Sequence, residues 1–247
     1  VGTDVAADLE LALALADLAD SITLPRFGSL DLAVDTKPDR SPVTEADRAV
    51  ERAIRERLAE VRPAHGVLGE EYGVDGEGAD VRWILDPIDG TRNYLRGVPV
   101  WGTLIAVEAG GDVVVGVASA PALGRRWWAA RGLGAVADGR RIGVSKVAAL
   151  ADAVVSDAGC DPRLRACWHH RSFGDFWQHM LVAEGVVDVA VDPEVNLWDL
   201  AAVQVIVEEA GGRFTDLAGR RRPDGGSGLS TNGLLHDEVL RRLRTPG

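Results

Sequence analysis

The stretch that most constrains this chain runs from Trp83 to Asn93 and reads Trp-Ile-Leu-Asp-Pro-Ile-Asp-Gly-Thr-Arg-Asn. Val81 to Leu85 is short and mostly apolar, which suits a buried strand, and it ends on two carboxylates, Asp86 and Asp89. Both can face one pocket. Pro87 fixes its own φ and biases Asp86 toward extended backbone, while Gly90 lets the chain bend sharply or come close to a ligand. Thr91 stands where a helix can begin. Free N–H groups and the positive dipole end at such a start suit a phosphate, and carboxylates alongside suit a hard cation such as Mg²⁺.

At 247 residues the chain has room for one large domain or two smaller ones. Hydrophobic residues at 46% and charged residues at 26%, spread along the chain, describe a globular protein and not a disordered one. A formal charge of −11 opposes binding to a nucleic-acid backbone. Small phosphorylated molecules stay open, because a bound divalent ion reverses the local sign. With only Cys160 and Cys167, no disulfide framework is expected, and the thiols read as reduced in a cytoplasmic protein. Leu9 to Leu18 is interrupted by Glu10 and Asp17 and lacks a basic n-region, so it reads as neither signal peptide nor membrane span.

Helical spacing of leucine and alanine predicts a helix from Thr3 to Phe27, punctuated by Pro25 and Gly28. Asp31 to Thr36 reads as a strand, Lys37 to Pro42 as a polar loop, and Thr44 as the start of a helix to Val61 with Asp47 at capping-box distance. Gly66 to Leu68 delivers Gly69, Glu70 and Glu71. Trp101 to Val107 and Val113 to Ala120 form a predicted hairpin, with further antiparallel pairing at Arg126 to Ala130 and Ala135 to Ala137. Later come strands at Asp152 to Ser156 and Val186 to Val191, and helices at Asp175 to Glu184, Leu197 to Ala210 and Asp237 to Arg244, with Pro223 to Gly228 a loop.

Five acids attract attention: Glu70, Glu71, Asp86, Asp89 and Asp199. Taken singly, each has a plainer reading, as solvated loop charges (Glu70, Glu71), turn formers (Asp86, Asp89) or a helix cap (Asp199). Together they supply what one or two hard cations beside a phosphate require, several clustered carboxylate oxygens. Asp47 and Thr91 add a hydroxyl–carboxylate pair able to orient a water, although Asp47 also reads as a first-turn helix acid. The five histidines show no zinc spacing, and His169-His170 reads as a polar loop or helix edge. Arg125-Arg126-Trp127-Trp128 reads as strand with core tryptophans, Arg220 to Arg222 as a solvated loop, and no glycine-rich segment has the Lys and Ser/Thr of a P-loop.

Through Gly69-Glu70-Glu71, Asp86-Pro87-Ile88-Asp89-Gly90-Thr91 and Trp198-Asp199 followed by Ala210-Gly211-Gly212, the chain resembles the inositol-monophosphatase superfamily. The resemblance extends from the first helix to Leu240. It implies a layered αβαβα sandwich of the sugar-phosphatase type, related to fructose-1,6-bisphosphatase, with residues 1–247 as one unit of an N-terminal α+β half (1–150) and a C-terminal α/β half (151–247). Within the superfamily the chain is most similar to the histidinol-phosphate phosphatase branch, through Asp35-Thr36-Lys37-Pro38-Asp39, Arg96 to Trp101, Arg125 to Gly132 and Thr231 to Asp237.

Carried over by position, the resemblance implies two or three Mg²⁺ ions per active site. Glu70, Asp86 and the Ile88 carbonyl would hold one, and Asp86, Asp89 and Asp199 a second. Glu71 would reach a metal through water, Gly90 and Thr91 would receive the phosphate, Asp47 beside Thr91 would activate water, and Lys37 would lie on a loop near the metals. The implied reaction is hydrolysis of a phosphate monoester of a small metabolite by in-line attack of a metal-activated water. Arg171, Asp175 and Asp192 would line the leaving-group side; Asp192 stands where inositol phosphatases carry a Glu. Asp175 also reads as the cap of the helix that begins at Phe176. The substrate expected is L-histidinol phosphate, with inositol 1-phosphate, fructose 1,6-bisphosphate or 3′-phosphoadenosine 5′-phosphate as alternatives, and a metal- or phosphate-binding regulatory protein as the non-enzyme reading. A homodimer without nucleic-acid or membrane partners is expected.

Overall fold

Helix α1 (Val5–Thr23) is capped by Asp4, whose carboxylate accepts the Ala7 N–H at 3.2 Å, and it buries Leu9, Ala12, Leu15, Ala16 and Ala19 as one stripe. The computed structural model describes residues 4–29, 31–36, 42–157, 159 and 161–245, so Thr3, Lys37 and Cys160 lie outside the described residues. The first helix ends at Thr23, earlier than its spacing predicts, because Pro25 has no N–H to continue the ladder and a 3₁₀ turn over Leu24–Arg26 takes over. A short ribbon pairs β1 (Val34–Thr36) with β2 (Pro42–Thr44), so the strand expected from Asp31 forms only where β2 lies opposite. Helix α2 (Glu45–Val61) starts on the expected capping box: Thr44 Oγ1 accepts the Ala46 and Asp47 N–H groups, and Asp47 accepts the Thr44 N–H at 2.8 Å.

The large sheet comprises β3 (Gly66–Gly69), β4 (Gly73–Asp75), β5 (Val81–Asp89), β6 (Gly102–Ala109), β7 (Asp112–Ala120), β8 (Arg125–Ala130), β9 (Gly134–Ala137) and β10 (Arg140–Arg141). Its order is β10-β9-β8-β7-β6-β5-β3-β4, with only β3 and β5 parallel. Alternation sends Trp83, Leu85, Ile105, Val107, Val115 and Val117 against α1 and α2, while Ile84, Leu104, Ala106, Ala118 and Trp127 face the other way. Both faces are apolar, so both must be covered. Each large side chain buried this way contributes roughly 1.5–3 kcal/mol.

Beyond the short helix α3 (Thr91–Leu95), the second half adds β11 (Val154–Asp157), β12 (His169–Arg171), α4 (Asp175–Ala183), β13 (Val189–Asp192), α5 (Leu197–Glu209), β14 (Arg213–Thr215), β15 (Gly228–Thr231) and α6 (His236–Arg244). The five strands form a second sheet in the order β12-β11-β13-β15-β14. Every residue of α5 from Leu200 to Val207 is buried. A helix apolar all round must lie inside the protein. Here α5 and α4 form the middle layer: they pack on the large sheet and reach Phe214 and Ala190 of the small one. Val239 and Leu240 of α6 cover the small sheet's outer face with Val155, Val189 and Leu229. The layers therefore run helices, large sheet, helices, small sheet, helix, which is the αβαβα order.

His169 and His170 are not in a loop or helix edge; their backbones pair with Val154 and Val155, making the edge strand β12. The segment read as a solvated arginine loop is one, and its arginines are paired: Arg221 bonds Glu208 and Asp112, each at 2.7 Å, Arg220 pairs with Asp216 and Arg222 with Asp224. Trp127 is core as expected, and Cys167 is a free, half-buried thiol.

His236 opens α6 fully buried, its ring held between Thr215 Oγ1 at 2.9 Å and Thr231 Oγ1 at 3.0 Å. Burial pushes it down from 6.5 to about 4, with Arg213 adding to the effect. The folded state resists protonation where the unfolded chain accepts it, so its contribution is complete above pH 6.5 and is lost as pH falls through about 4. Urea unfolding of wild type and His236→Gln across this window should show their stability difference narrowing as pH falls; a constant difference would contradict the burial argument.

Candidate active site

In a regular strand residues three apart point to opposite faces, so Asp86 and Asp89 could not meet. The structure solves this with a bulge: Asp86 lies opposite Leu104 and Asp89 opposite Gly102, which puts one extra β5 residue into the interval. Pro87, with no N–H to lose, sits in that irregularity, and its carbonyl accepts the Thr103 hydroxyl at 2.8 Å. The two acids thus turn to one side.

Asp199 joins them from the first turn of α5, and ligand oxygens of Asp86, Asp89 and Asp199 lie within 4.8 Å of one another. Glu70, at the end of β3, adds its charge: Asp86 is pushed well above the usual carboxylate range first by burial, then by Glu70, Asp89 and Asp199. Burial, Asp175 and Asp199 push Asp89 up likewise, against a hydrogen bond of 2.6 Å from the Phe176 N–H. Asp199 rises to about 6 through burial, opposed by the Asn196 N–H that it caps at 2.7 Å. Asp86 Oδ1 is buried with no hydrogen-bond partner. Hard oxygens crowded at a cost in repulsion, one of them orphaned, fit a divalent cation such as Mg²⁺.

Next to the acids, Gly90 adopts the left-handed conformation (φ 82, ψ 36) and heads α3; a Cβ there would stand 3.1 Å from the Val100 carbonyl. Thr91 Oγ1 donates to the Ile88 carbonyl at 3.0 Å and lies 3.5 Å from Asp47 Oδ1. Asp47 is buried and rises to about 6, chiefly by burial, with Thr44 opposing. A cavity of about 300 Å³ is lined by Glu70, Gly90, Thr91, Arg92, Asp175, Asn196 and Asp199. A larger cleft of about 770 Å³ lies at the other end of β5, walled by Val81, Arg82 and the 108–111 turn. It has no comparable acid cluster among the described residues, so volume and chemistry point to different places. The chemistry identifies the site.

Asp175 faces this cavity. It is not the helix cap: Gly174 holds that position, and Asp175 is the first residue inside α4, at φ 48, with Oδ2 accepting from Asn93 Nδ2 at 2.8 Å. Burial and then Asp192 push it up, while Arg92 and Asn93 oppose. Asp192 ends β13, with both oxygens engaged by Gln178 and His179. Arg171 stands exposed on β12, its Nε donating to His169 Nε2 at 2.9 Å, and is not in the cavity wall. Glu71 follows Glu70 in a turn held by Glu51.

Glu51, Asn93, Gln178 and His179 escaped sequence reasoning. Glu51 is fully buried and accepts the Glu71 N–H at 2.7 Å, the Tyr72 N–H at 3.1 Å and Arg55 Nε at 2.8 Å, which pins the turn presenting Glu70. Its only signal was position, one helical turn after Asp47 on α2.

Fold and site define the class. The chain belongs to the inositol monophosphatase family, whose profile matches residues 4–245. It is 55% identical to a histidinol-phosphatase of Mycobacterium tuberculosis, over 96% of this chain and 97% of that protein. A histidinol-phosphatase of Streptomyces coelicolor is 50% identical over 96% of each. Among solved structures, the Thermotoga maritima IMPase TM1415 superposes with a TM-score of 0.87 at 32% identity, over 96% of each chain.

A Cβ on Gly69 would lie 2.1 Å from Glu51 Oε1 and 2.3 Å from its Cδ. Gly69→Ala should therefore displace the Glu51 carboxylate and cost about 1–3 kcal/mol in chemical denaturation, with weaker Mg²⁺ binding. Wild-type stability and metal affinity would mean that Glu51 does not brace the turn.

Proposed function

We propose that this chain is a Mg²⁺-dependent phosphoric monoester hydrolase that converts L-histidinol phosphate to L-histidinol and phosphate in histidine biosynthesis. The reading rests above all on the convergence of Asp86, Asp89 and Asp199 within 4.8 Å beside the left-handed turn at Gly90. Glu70, Asp86 and the Ile88 carbonyl are assigned to one Mg²⁺, and Asp86, Asp89 and Asp199 to a second. Bound there, Mg²⁺ lowers the pKa of the attacking water and stabilises charge on the leaving oxygen.

The chain's own groups do the rest. The backbone of Gly90 and Thr91 holds the phosphate, a placement supported by the N–H groups at the start of α3. Asp47, when ionised, accepts a proton or hydrogen bond through Thr91 and orients the water. Glu71 is assigned to a water in the metal shell. Asp175 and Asp192 meet the leaving alcohol, and two carboxylates favour a substrate bearing an ammonium and an imidazole over a neutral polyol. Arg171, outside the cavity wall, is assigned to the leaving-group side on the resemblance alone. Lys37 is assigned to the neighbourhood of the metals on the resemblance alone.

The names of the Mycobacterium and Streptomyces relatives support histidinol phosphate. Hydrolysis of inositol 1-phosphate is the second reading, favoured by the Thermotoga structure, since carboxylates also accept from hydroxyls. A cytoplasmic homodimer is proposed; no helix among the described residues is long and apolar enough to cross a membrane.

Phosphate release from L-histidinol phosphate, inositol 1-phosphate, fructose 1,6-bisphosphate and 3′-phosphoadenosine 5′-phosphate tests the reading. Histidinol phosphate should lead in kcat/KM by at least about tenfold, a modest margin for a site with dedicated polar contacts, and chelation should abolish turnover. Asp86→Asn should lower kcat by roughly a thousandfold, the scale of losing a main electrostatic stabiliser. A preference for inositol 1-phosphate would move the substrate to the second reading, and near-normal Mg²⁺-dependent turnover by a folded Asp86→Asn protein would remove the metal assignment.

A further inference from the structure

We propose that Gln178 and His179 are positioning residues that hold Asp192 for the leaving group and so help set the substrate preference; this rests on the assignment of Asp192 to the leaving-group side. Asp175, Gln178 and His179 are spaced i, i+3 and i+4 on α4, which gives them one helix face. That face meets the end of β13. Gln178 Nε2 donates to Asp192 Oδ1 at 2.6 Å, and His179 Nε2 to Oδ2 at 2.6 Å. Asp175, on the same face of α4, lines the cavity with Asp199, so the clamp lies on the helix face that also builds the cavity wall.

Each donor is braced from behind. Gln178 Oε1 accepts the Ser156 hydroxyl of β11 at 2.7 Å, and His179 Nδ1 lies 2.7 Å from Ser230 Oγ of β15. Asp192 and the Ser230 hydroxyl thus engage both ring nitrogens of His179, which fixes the plane of the imidazole. Gln178, His179, Ser156 and Ser230 are fully buried, whereas the Asp192 side chain keeps 14% of its surface exposed. Ser156 and Ser230 each satisfy one polar atom of the pair, and Asp192 is the partner of the two that remain, Gln178 Nε2 and His179 Nε2. Convergence of two buried donors on one partly open carboxylate does something more: it fixes both oxygens while leaving their outward lone pairs for a ligand. A cation arriving there meets a carboxylate that has no rotamer freedom left to lose.

The test compares kcat and KM for L-histidinol phosphate and for 4-nitrophenyl phosphate, whose leaving group carries no positive charge, at saturating Mg²⁺. His179→Phe and Gln178→Met should each raise KM for histidinol phosphate roughly tenfold, the scale of one hydrogen bond to a charged group. KM for 4-nitrophenyl phosphate and the Mg²⁺ activation constant should stay within about twofold, the scatter of remote effects. His179→Gln keeps an N–H donor and should recover most of the loss, which keeps the test open if His179→Phe does not fold. Adding His179→Phe to Asp192→Asn should raise KM no further than Asp192→Asn alone. Equal losses on both substrates, or additive effects in the double variant, would identify a structural role and overturn the inference. If instead Asp192→Asn left KM for histidinol phosphate unchanged, the leaving-group assignment would fall, and the clamp's role with it.

Discussion

Mutual repulsion among buried carboxylates is the constraint on which the rest of this structure depends. Asp86, Asp89 and Asp199 are brought within 4.8 Å of one another, in surroundings that raise the pKa values of these three, and the charge of Glu70 adds to the repulsion on Asp86. Such a cluster costs stability unless protons or cations neutralise it. The fold tolerates it because each acid comes from an element anchored elsewhere: β3 and β5, each paired on both sides within the large sheet, and α5 between the two sheets. No local rearrangement can spread them apart.

Several of these side chains serve structure and site together. Asp199 accepts the Asn196 N–H as a capping residue while offering an oxygen to the cluster, and Asp47 closes the capping box of α2 while facing Thr91. Cap and ligand are not competing readings here, because a carboxylate has two oxygens and about four acceptor sites. Glu51 and the Gln178–His179 pair work one step further out. They touch no substrate in the proposed assignment, yet they determine where Glu70 and Asp192 can be.

Much of this was legible in the sequence. The capping box at Thr44, the apolar strand ending at Asp86 and the largely apolar helix after Asp199 follow from local rules, and the three acidic blocks carry a family resemblance over nearly the whole chain. The bulge that turns Asp86 and Asp89 to one side was not legible, because Pro87 marks an irregularity without saying which way the strand bends. Strands of two or three residues such as β10, β12 and β14 are too short to show a period and exist only through their partners. Asn93 meets Asp175 across 82 positions and Glu51 meets the Glu71 backbone across 20, so neither contact has a local signal.

Burial and mutual repulsion favour protons on this cluster when no cation is bound, so Mg²⁺ binding must displace them. Calorimetric titration of Mg²⁺ into the metal-free protein near pH 6, in two buffers of different ionisation enthalpy, tests it most directly. Saturable binding with net proton release is predicted, with both lost in Asp86→Asn. Binding without proton exchange, or no binding in the folded wild-type protein, would contradict the account.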